Sequence, residues 1–385
     1  MHRINRHSNH FHNPGVNVKR KIFLFFCIFT IAVTSAFGQK ISKPTLTPKP
    51  VTDAQRKLIQ EGIASHDAKK YDDAIAKYEA VLSENPDATL AIYELALTQY
   101  TKGDKDKALE AALRGSKYKS RELALFYGTI ANIIDDRGKP KEAIKIYQDA
   151  IKILENEPDA NSQLASIHYN LGVTYVRQKM YTEARGELKK AVEFNPGYAS
   201  PHYLLSEVFY GSKYKVPSML AASRFLSLEY STQRSDRAVG IILAVMAPAK
   251  KDPKTGNTTI NLDFMAPEDE GSYAMYDLLI PTLGMVDDEK NKESQKPKTE
   301  EEKFADGMET VISMLTEDEK LQKTFVGKHY VPFFAEMKAK GYVKMFSYII
   351  LFKSGNKNVG AWIDGQGPKL QEFLDWAKAY RPSTK

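Results

Sequence analysis

The stretch Asn161 to Pro196, NSQLASIHYNLGVTYVRQKMYTEARGELKKAVEFNP, decides the fold. It reads as a helix, a tight turn and a second helix. In the first helix Leu171 and Gly172 form a large/small pair, with His168 three positions before Leu171 and Tyr175 three after Gly172. A side chain at Gly172 would hold the partner helix too far away, so the small residue marks a close contact. Lys179 and Met180 sit at the turn, and Tyr181 opens the second helix. Ala184, Leu188 and Ala191 then share one face at helical spacing. Asn195-Pro196 ends the unit, because proline cannot continue a helix and biases the residue before it away from helical geometry.

Weaker copies lie on both sides. Gly62, Tyr71, Ala74, Tyr78 and Pro86 make the first; Leu95-Ala96, Gly103, Ala108 and Ala112 the second; Ile130-Ala131, Gly138, Ala143, Tyr147 and Ala150 the third. Leu205-Ser206, Phe209, Ala221 and Phe225 make a looser fifth. The alanines at the second-helix contact recur at 74, 108, 143, 184 and 221, in steps of 34, 35, 41 and 37 residues. Both the period and the W-x2-L-G-x2-Y pattern are those of the tetratricopeptide repeat (TPR), and about Thr52 to Tyr230 resembles a TPR array. It departs from the pattern at the Trp positions (Leu58, Ile92, Tyr127, His168, His202), at residues 96, 131 and 206, which are not glycine, and in lacking a proline after the second unit. The resemblance implies an all-α, right-handed TPR-like α-solenoid of about five helix-turn-helix repeats over 53–230.

In that family the first helix of each repeat lines a concave face that holds polypeptides. The corresponding positions here are Tyr93, Leu97, Tyr100 and Thr101; Asn132, Asp135 and Asp136; Tyr169, Val173, Val176 and Arg177; and Tyr203, Glu207 and Tyr210. The basic and asparagine residues with which some relatives clamp a C-terminal carboxylate are absent from this set, which argues against a chaperone-tail receptor. Five tyrosines along one surface suit an extended polypeptide, since Tyr offers contact area and a hydroxyl at low entropy cost. The competing reading is that these rings pack between neighbouring repeats.

With 42% hydrophobic and 27% charged residues, the 385-residue chain has the composition of a folded soluble protein of two or three domains. Residues 1–38 read as a signal peptide. Lys19-Arg20-Lys21 precedes an apolar run from Ile22 to Phe37, and Ala36-Phe37-Gly38 offers small residues where a signal peptidase reads, with cleavage before Gln39. The run is short of the roughly 20 residues a membrane span needs; a retained anchor is the alternative. Cys27 lacks the small residue before it that a lipoprotein signal requires, because Phe26 stands there. These features predict export to the periplasm or outer membrane of a Gram-negative-type bacterium, or secretion.

Removing that segment takes five bases and no acid, leaving 50 bases against 48 acids, so the formal charge of +7 falls to about +2. The basic balance is then no argument for a nucleic-acid partner. His2, His7, His10 and His12 leave with it, as does Cys27, the only cysteine. A mature chain without thiols has neither a Cys nucleophile nor a Cys metal site.

Residues 39–52, with Pro44, Pro48 and Pro50, read as an extended, semi-rigid tether. Residues 231–385 read as a mainly helical C-terminal domain that caps the array, since a terminal repeat has nothing to stack on. Its expected parts are a helix over 236–250, a short extended segment at Ile260, Leu262 and Phe264, and a helix over Tyr273–Val286 despite Pro281. A flexible charged loop at 287–303, a capping box at Thr316 to Glu319, a break at Pro332 and a Gly-rich loop from Gly355 to Gly367 follow. Phe333, Phe334, Phe346, Tyr348, Phe352, Trp362, Phe373 and Trp376 form the expected cap core.

No GxSxG, HExxH, P-loop or GxGxxG motif occurs. His66, His168, His202 and His329 read as structural, so no catalytic residue, cofactor or metal is expected. The reading is an exported, non-enzymatic scaffold that binds a protein or peptide partner in the concave groove. The alternatives are a glycan- or peptidoglycan-binding module, and an enzyme with a site in the cap around Asp364 and His329.

Overall fold

Five turns of one shape organise the chain. Lys69, Gly103, Gly138, Lys179 and Lys213 all have positive φ, from +60° to +101°. After each, the next amide reaches back to close the preceding helix: Lys70 to Ser65, Asp104 to Gln99, Lys139 to Ile134, Met180 to Tyr175 and Tyr214 to Phe209. This is the Schellman closure, in which a left-handed residue lets two amides satisfy the last carbonyls of a helix. The computed structural model describes residues 41–251, 254–255, 257–259, 270–293 and 297–382, and the five turns join ten helices into five pairs. They are α1 (Asp53–Asp67) and α2 (Tyr71–Glu84); α3 (Thr89–Lys102) and α4 (Lys105–Gly115); α5 (Leu123–Asp136) and α6 (Pro140–Leu154); α7 (Asn161–Arg177) and α8 (Tyr181–Phe194); α9 (Ala199–Gly211) and α10 (Lys215–Leu228).

The small residues stand where the spacing demands. Ala74, Ala108, Ala143, Ala184 and Ala221 are all fully buried. A Cβ at Gly172 would lie 2.9 Å from Leu188, and one at Gly62 would strike the Tyr78 ring. Ala96, Ala131 and Ser206 replace that glycine elsewhere and are themselves fully buried, so smallness is the requirement. The long third step is taken up by α6, α7 and the turn residues between them. In the first and fourth units the Asn-Pro ending is one device: the Asn85 and Asn195 side chains accept from the amides of Asp87 and Gly197.

Residues 41–51 do not hang free as a tether. They run as an extended strap along the ends of the first three repeats. Leu46 bridges Tyr118 in parallel: Thr45 and Leu46 donate to the Lys117 carbonyl at 3.0 and 2.9 Å, and Lys119 donates to Leu46 at 2.8 Å. Tyr127 donates to the Ser42 carbonyl and Asn85 to that of Pro50. The second repeat ends without the Asn-Pro device, and its loop instead offers the Lys119 amide to the strap.

Beyond Leu228 the helices continue. A capping box at Thr232 opens α11 (Gln233–Met246), which packs on α10 and α9 as the first helix of a sixth unit would. A two-residue antiparallel ladder, β1 (Lys250–Lys251) with β2 (Thr258–Thr259), follows; the expected extended segment at 260–264 lies outside the described residues. Then come α12 (Ala274–Glu293), α13 (Glu300–Glu317), α14 (Phe325–His329), α15 (Val331–Ala339), α16 (Val343–Lys353), α17 (Gly360–Asp364) and α18 (Gly367–Ala379). Among the described residues no helix is long and apolar enough to cross a membrane. The segment read as a signal peptide, 1–38, lies outside them.

Several expectations are corrected. The charged stretch 287–303 is not a loop where it is described, since 287–293 extend α12 and 300–303 open α13, with Thr299 and Glu302 forming a capping box. Its Glu and Lys residues are good helix formers even without an apolar face. Thr316 is inside α13, bonded to the Ile312 carbonyl, and the cap of the following turn is Asp318. The Gly-rich stretch 355–367 contains α17. Phe352 is 51% exposed, outside the cap core. Pro332 stands at the start of α15, where the break was expected. Nor does the interior divide at residue 230. One hydrophobic cluster runs from Ile41 to Ala184, and a second from Leu188 through α9, α10 and the cap to Tyr380.

Arg224 and His202 join the last repeat to the cap. Arg224 is 2% exposed; it donates to the carbonyls of Ala377 (2.7 Å) and Pro196 (3.3 Å), and lies 4.4 Å from the Phe333 ring centroid. Burial pushes its guanidinium down to about 10. The His202 ring donates to Pro196 through Nε2, so Nδ1 accepts the Tyr330 hydroxyl at 3.0 Å. Burial first, then the charge of Arg224, holds His202 neutral by lowering its pKa to about 3.

Candidate groove and its polar row

The first helices, α1, α3, α5, α7, α9 and α11, meet in sequence, and their polar side chains form a row across them. His66 on α1 contacts Thr98 on α3 at 2.7 Å. Tyr100 on α3 donates to Asp136 on α5 at 2.7 Å, and Lys105 reaches the same carboxylate at 3.1 Å. Arg177 on α7 spans Asp135 at 3.0 Å and Asp136 at 3.3 Å. Burial alone would raise Asp136, but donors from Tyr100, Lys105 and Arg177 outweigh it and hold the carboxyl below its usual range. Tyr100 is pushed up to about 12, by burial and then by its bond to Asp136.

The far end of the row is built on α9 and α11. Arg237 grips Glu207 with two nitrogens at 2.8 and 3.1 Å and lies 5.8 Å from the Tyr210 ring. Arg234 bonds Glu229 and Ser200 and lies 5.4 Å from the Tyr203 ring. Tyr169 meets Tyr198 edge to face at 5.4 Å.

These contacts sort the expected residues. Asp135 is buried beneath Arg177 and bonded by Thr174 at 3.5 Å, so it is a support rather than a surface group. Asn132 is turned into its own repeat to accept the Tyr147 hydroxyl at 2.6 Å. Tyr93, Tyr169, Tyr203 and Tyr210 are half-buried and pack against the two hydrophobic clusters. Tyr100, Asp136, Arg177 and Glu207 come together in the charged row. Sequence reading missed Lys105, Tyr198, Arg234 and Arg237. The last two were within reach: Val239-Gly240 stands 34 residues after Leu205-Ser206 and repeats the large/small pair, marking α11 as another first helix.

Comparison with known proteins fits this geometry. Residues 61–120 and 122–196 each match a family model described as tetratricopeptide repeat. An Arabidopsis thaliana protein, kinesin light chain-related 1, is 32% identical over 71 residues, 18% of this chain and 12% of that protein. The chain thus spans about an eighth of the length of the curated relative it matches. Of solved structures, a thermophilic TPR protein of Thermus thermophilus superposes with a TM-score of 0.41 at 18% identity, covering 49% of this chain and 99% of that one. Pseudomonas aeruginosa PilF superposes with a TM-score of 0.37 at 16% identity, covering 50% and 91%. Two tandem family models, laid on successive helix pairs with the same closing turn, identify residues 61–120 and 122–196 as tetratricopeptide repeats.

Proposed function

We propose that this protein is an exported scaffold that holds an extended polypeptide along the row from Tyr100 to Arg237. Tetratricopeptide repeats make it a protein–protein interaction scaffold in kind; the groove and the export are the finer reading. One observation carries it: the row continues from helix to helix, and its cations stay accessible, with 49% of the Arg177 side chain and 55% of that of Arg237 exposed. The Arg237–Glu207 pair is of the exposed kind that contributes under about 1 kcal/mol, so a partner's carboxylate can replace Glu207 at little cost, whereas Arg177 stays on the buried Asp135 and offers its remaining donors. The half-exposed tyrosines beside them supply contact area. The export reading rests on the 1–38 segment.

The test places a photo-crosslinker at Arg177 or Arg237 in intact cells, with Lys190 on α8 as control, and reads adducts by mass spectrometry. One polypeptide should be captured at 177 and 237 but not at 190. Arg177→Gln with Arg237→Gln, which removes both cations while Gln can still donate to the neighbouring carboxylates, should reduce its capture at least tenfold with the helical fold retained by circular dichroism. Equal capture at all three sites, or capture unaffected by the double substitution, refutes the groove. An N-terminus at Met1 in the recovered protein refutes the cleaved signal.

A further inference from the structure

The cap holds a cavity separate from the groove, where the α15–α16 turn meets α17 and the start of α18. Its volume is about 300 Å³, and it is lined by Lys340, Tyr342, Lys344, Trp362, Gln366 and Lys369. Three cations therefore surround it. They outnumber the one acid in its lining, Glu372, which is turned to accept the Tyr342 hydroxyl at 2.6 Å. Glu336 stands 3.9 Å from Lys340 and Glu302 3.6 Å from Lys344, long pairs between exposed groups that contribute little and re-pair readily. Among the described residues Lys369 has no ion pair. Neither α16 nor α18 carries an acid in its first turn.

The wall is as informative as the charge. The Trp362 indole is half-buried and fixed edge to face on Tyr348 at 4.6 Å, and the Lys344 ammonium lies 5.4 Å from the Tyr348 ring and 6.0 Å from the Trp362 ring. An anion on Lys344 would thus rest beside an aromatic surface. The Gln366 amide adds hydrogen-bonding capacity at the rim. The volume is at the small end for ligand sites, enough for one ring. We propose that this cavity binds a small acidic sugar: a hexose-sized ring lying against Trp362, its carboxylate or phosphate held among Lys340, Lys344 and Lys369. The proposal stands independently of the groove.

Calorimetric titration of the full chain tests it, with tryptophan fluorescence in parallel, Trp362 being one of only two tryptophans. The probes are glucuronate, glucose 6-phosphate, glucose and inorganic phosphate. Saturable binding of either acidic sugar is expected, at least tenfold tighter than glucose or inorganic phosphate, and which one binds identifies the anion. Lys344→Gln with Lys369→Gln, both exposed, should weaken it at least tenfold without moving Tm, while Lys378→Gln, outside the cavity, should not. The proposal is overturned if neither acidic sugar saturates, if glucose or inorganic phosphate matches the acidic sugar that binds, or if binding survives the double substitution.

Discussion

The two hydrophobic clusters are built on different principles. The first, from the strap to α8, is a repeated contact: a small residue on one helix meets a large one on its partner, as at Gly62 under Tyr78, and the same joint recurs at Gly172 under Leu188, where the second cluster begins. The second, from α8 to Tyr380, contains aromatic contacts that do not recur, with Phe333 stacked on Trp376 at 4.9 Å and Phe373 near Tyr342, Phe346 and Trp376. Its polar centre is the buried Arg224 guanidinium, bonded to two carbonyls and the Ser227 hydroxyl. A repeat can tolerate damage locally because each unit touches only its neighbours. Among the described residues the aromatic contacts of the cap have no second copy, so damage there propagates.

Arg224→Ala should therefore have the largest effect. It opens a void beside Phe333 and leaves the Ala377 carbonyl without its donor, while the Pro196 carbonyl keeps the His202 ring. The expected cost is about 3–5 kcal/mol, from the cavity together with the orphaned Ala377 acceptor, measured by urea unfolding. Tryptophan fluorescence reports the cap directly, since both tryptophans, Trp362 and Trp376, lie in it. A cost under about 1 kcal/mol would mean that the guanidinium does not hold the cap to the last repeat.

Gly172→Val breaks the other side of the comparison. Its side chain would press on Leu188, with the Cβ alone at 2.9 Å, and overpacking of this kind costs about 1–3 kcal/mol. The damage should be confined to the α7–α8 pair and its neighbours, read as faster amide exchange there and little change at α15 to α18. Equal loss of protection in the cap would show that the two clusters unfold as one.

How much could be read in advance follows the same division. Periodicity exposes the array, because one physical demand, smallness at the crossing point, returns at Ala74, Ala108, Ala143, Ala184 and Ala221. It does not expose the cap, where Arg224 is satisfied by residues from 196 and 377 that no local pattern links. The strap was hidden for a related reason: it is held mainly through backbone atoms, so Pro44, Pro48 and Pro50 signalled only that the segment is extended. In the groove, residue type alone could not tell Asp135, buried under Arg177, from Asp136, which shares its donors with the surface. Tyrosine at a lining position likewise did not distinguish a ring packed on a neighbour from one free to meet a partner.

The smallest effect expected lies in the five turns, and it has the opposite sign. Gly103 and Gly138 take positive φ without penalty, whereas Lys69, Lys179 and Lys213 adopt it with a Cβ. A left-handed non-glycine residue costs about 1–2 kcal/mol, while glycine frees the unfolded chain by about 0.4–1 kcal/mol. Relief of strain outweighs the added chain freedom, so Lys179→Gly should stabilise the protein by up to about 1 kcal/mol. The change leaves the Met180 to Tyr175 bond intact, because that bond uses backbone atoms only. The reciprocal Gly103→Ala should destabilise, its Cβ meeting no neighbour within 4 Å, so that backbone strain is the whole effect. Urea midpoints that move in opposite directions for the two variants would establish that the turns share one closing geometry. Midpoints moving the same way would mean that side-chain contacts, rather than φ, decide residue choice at these turns.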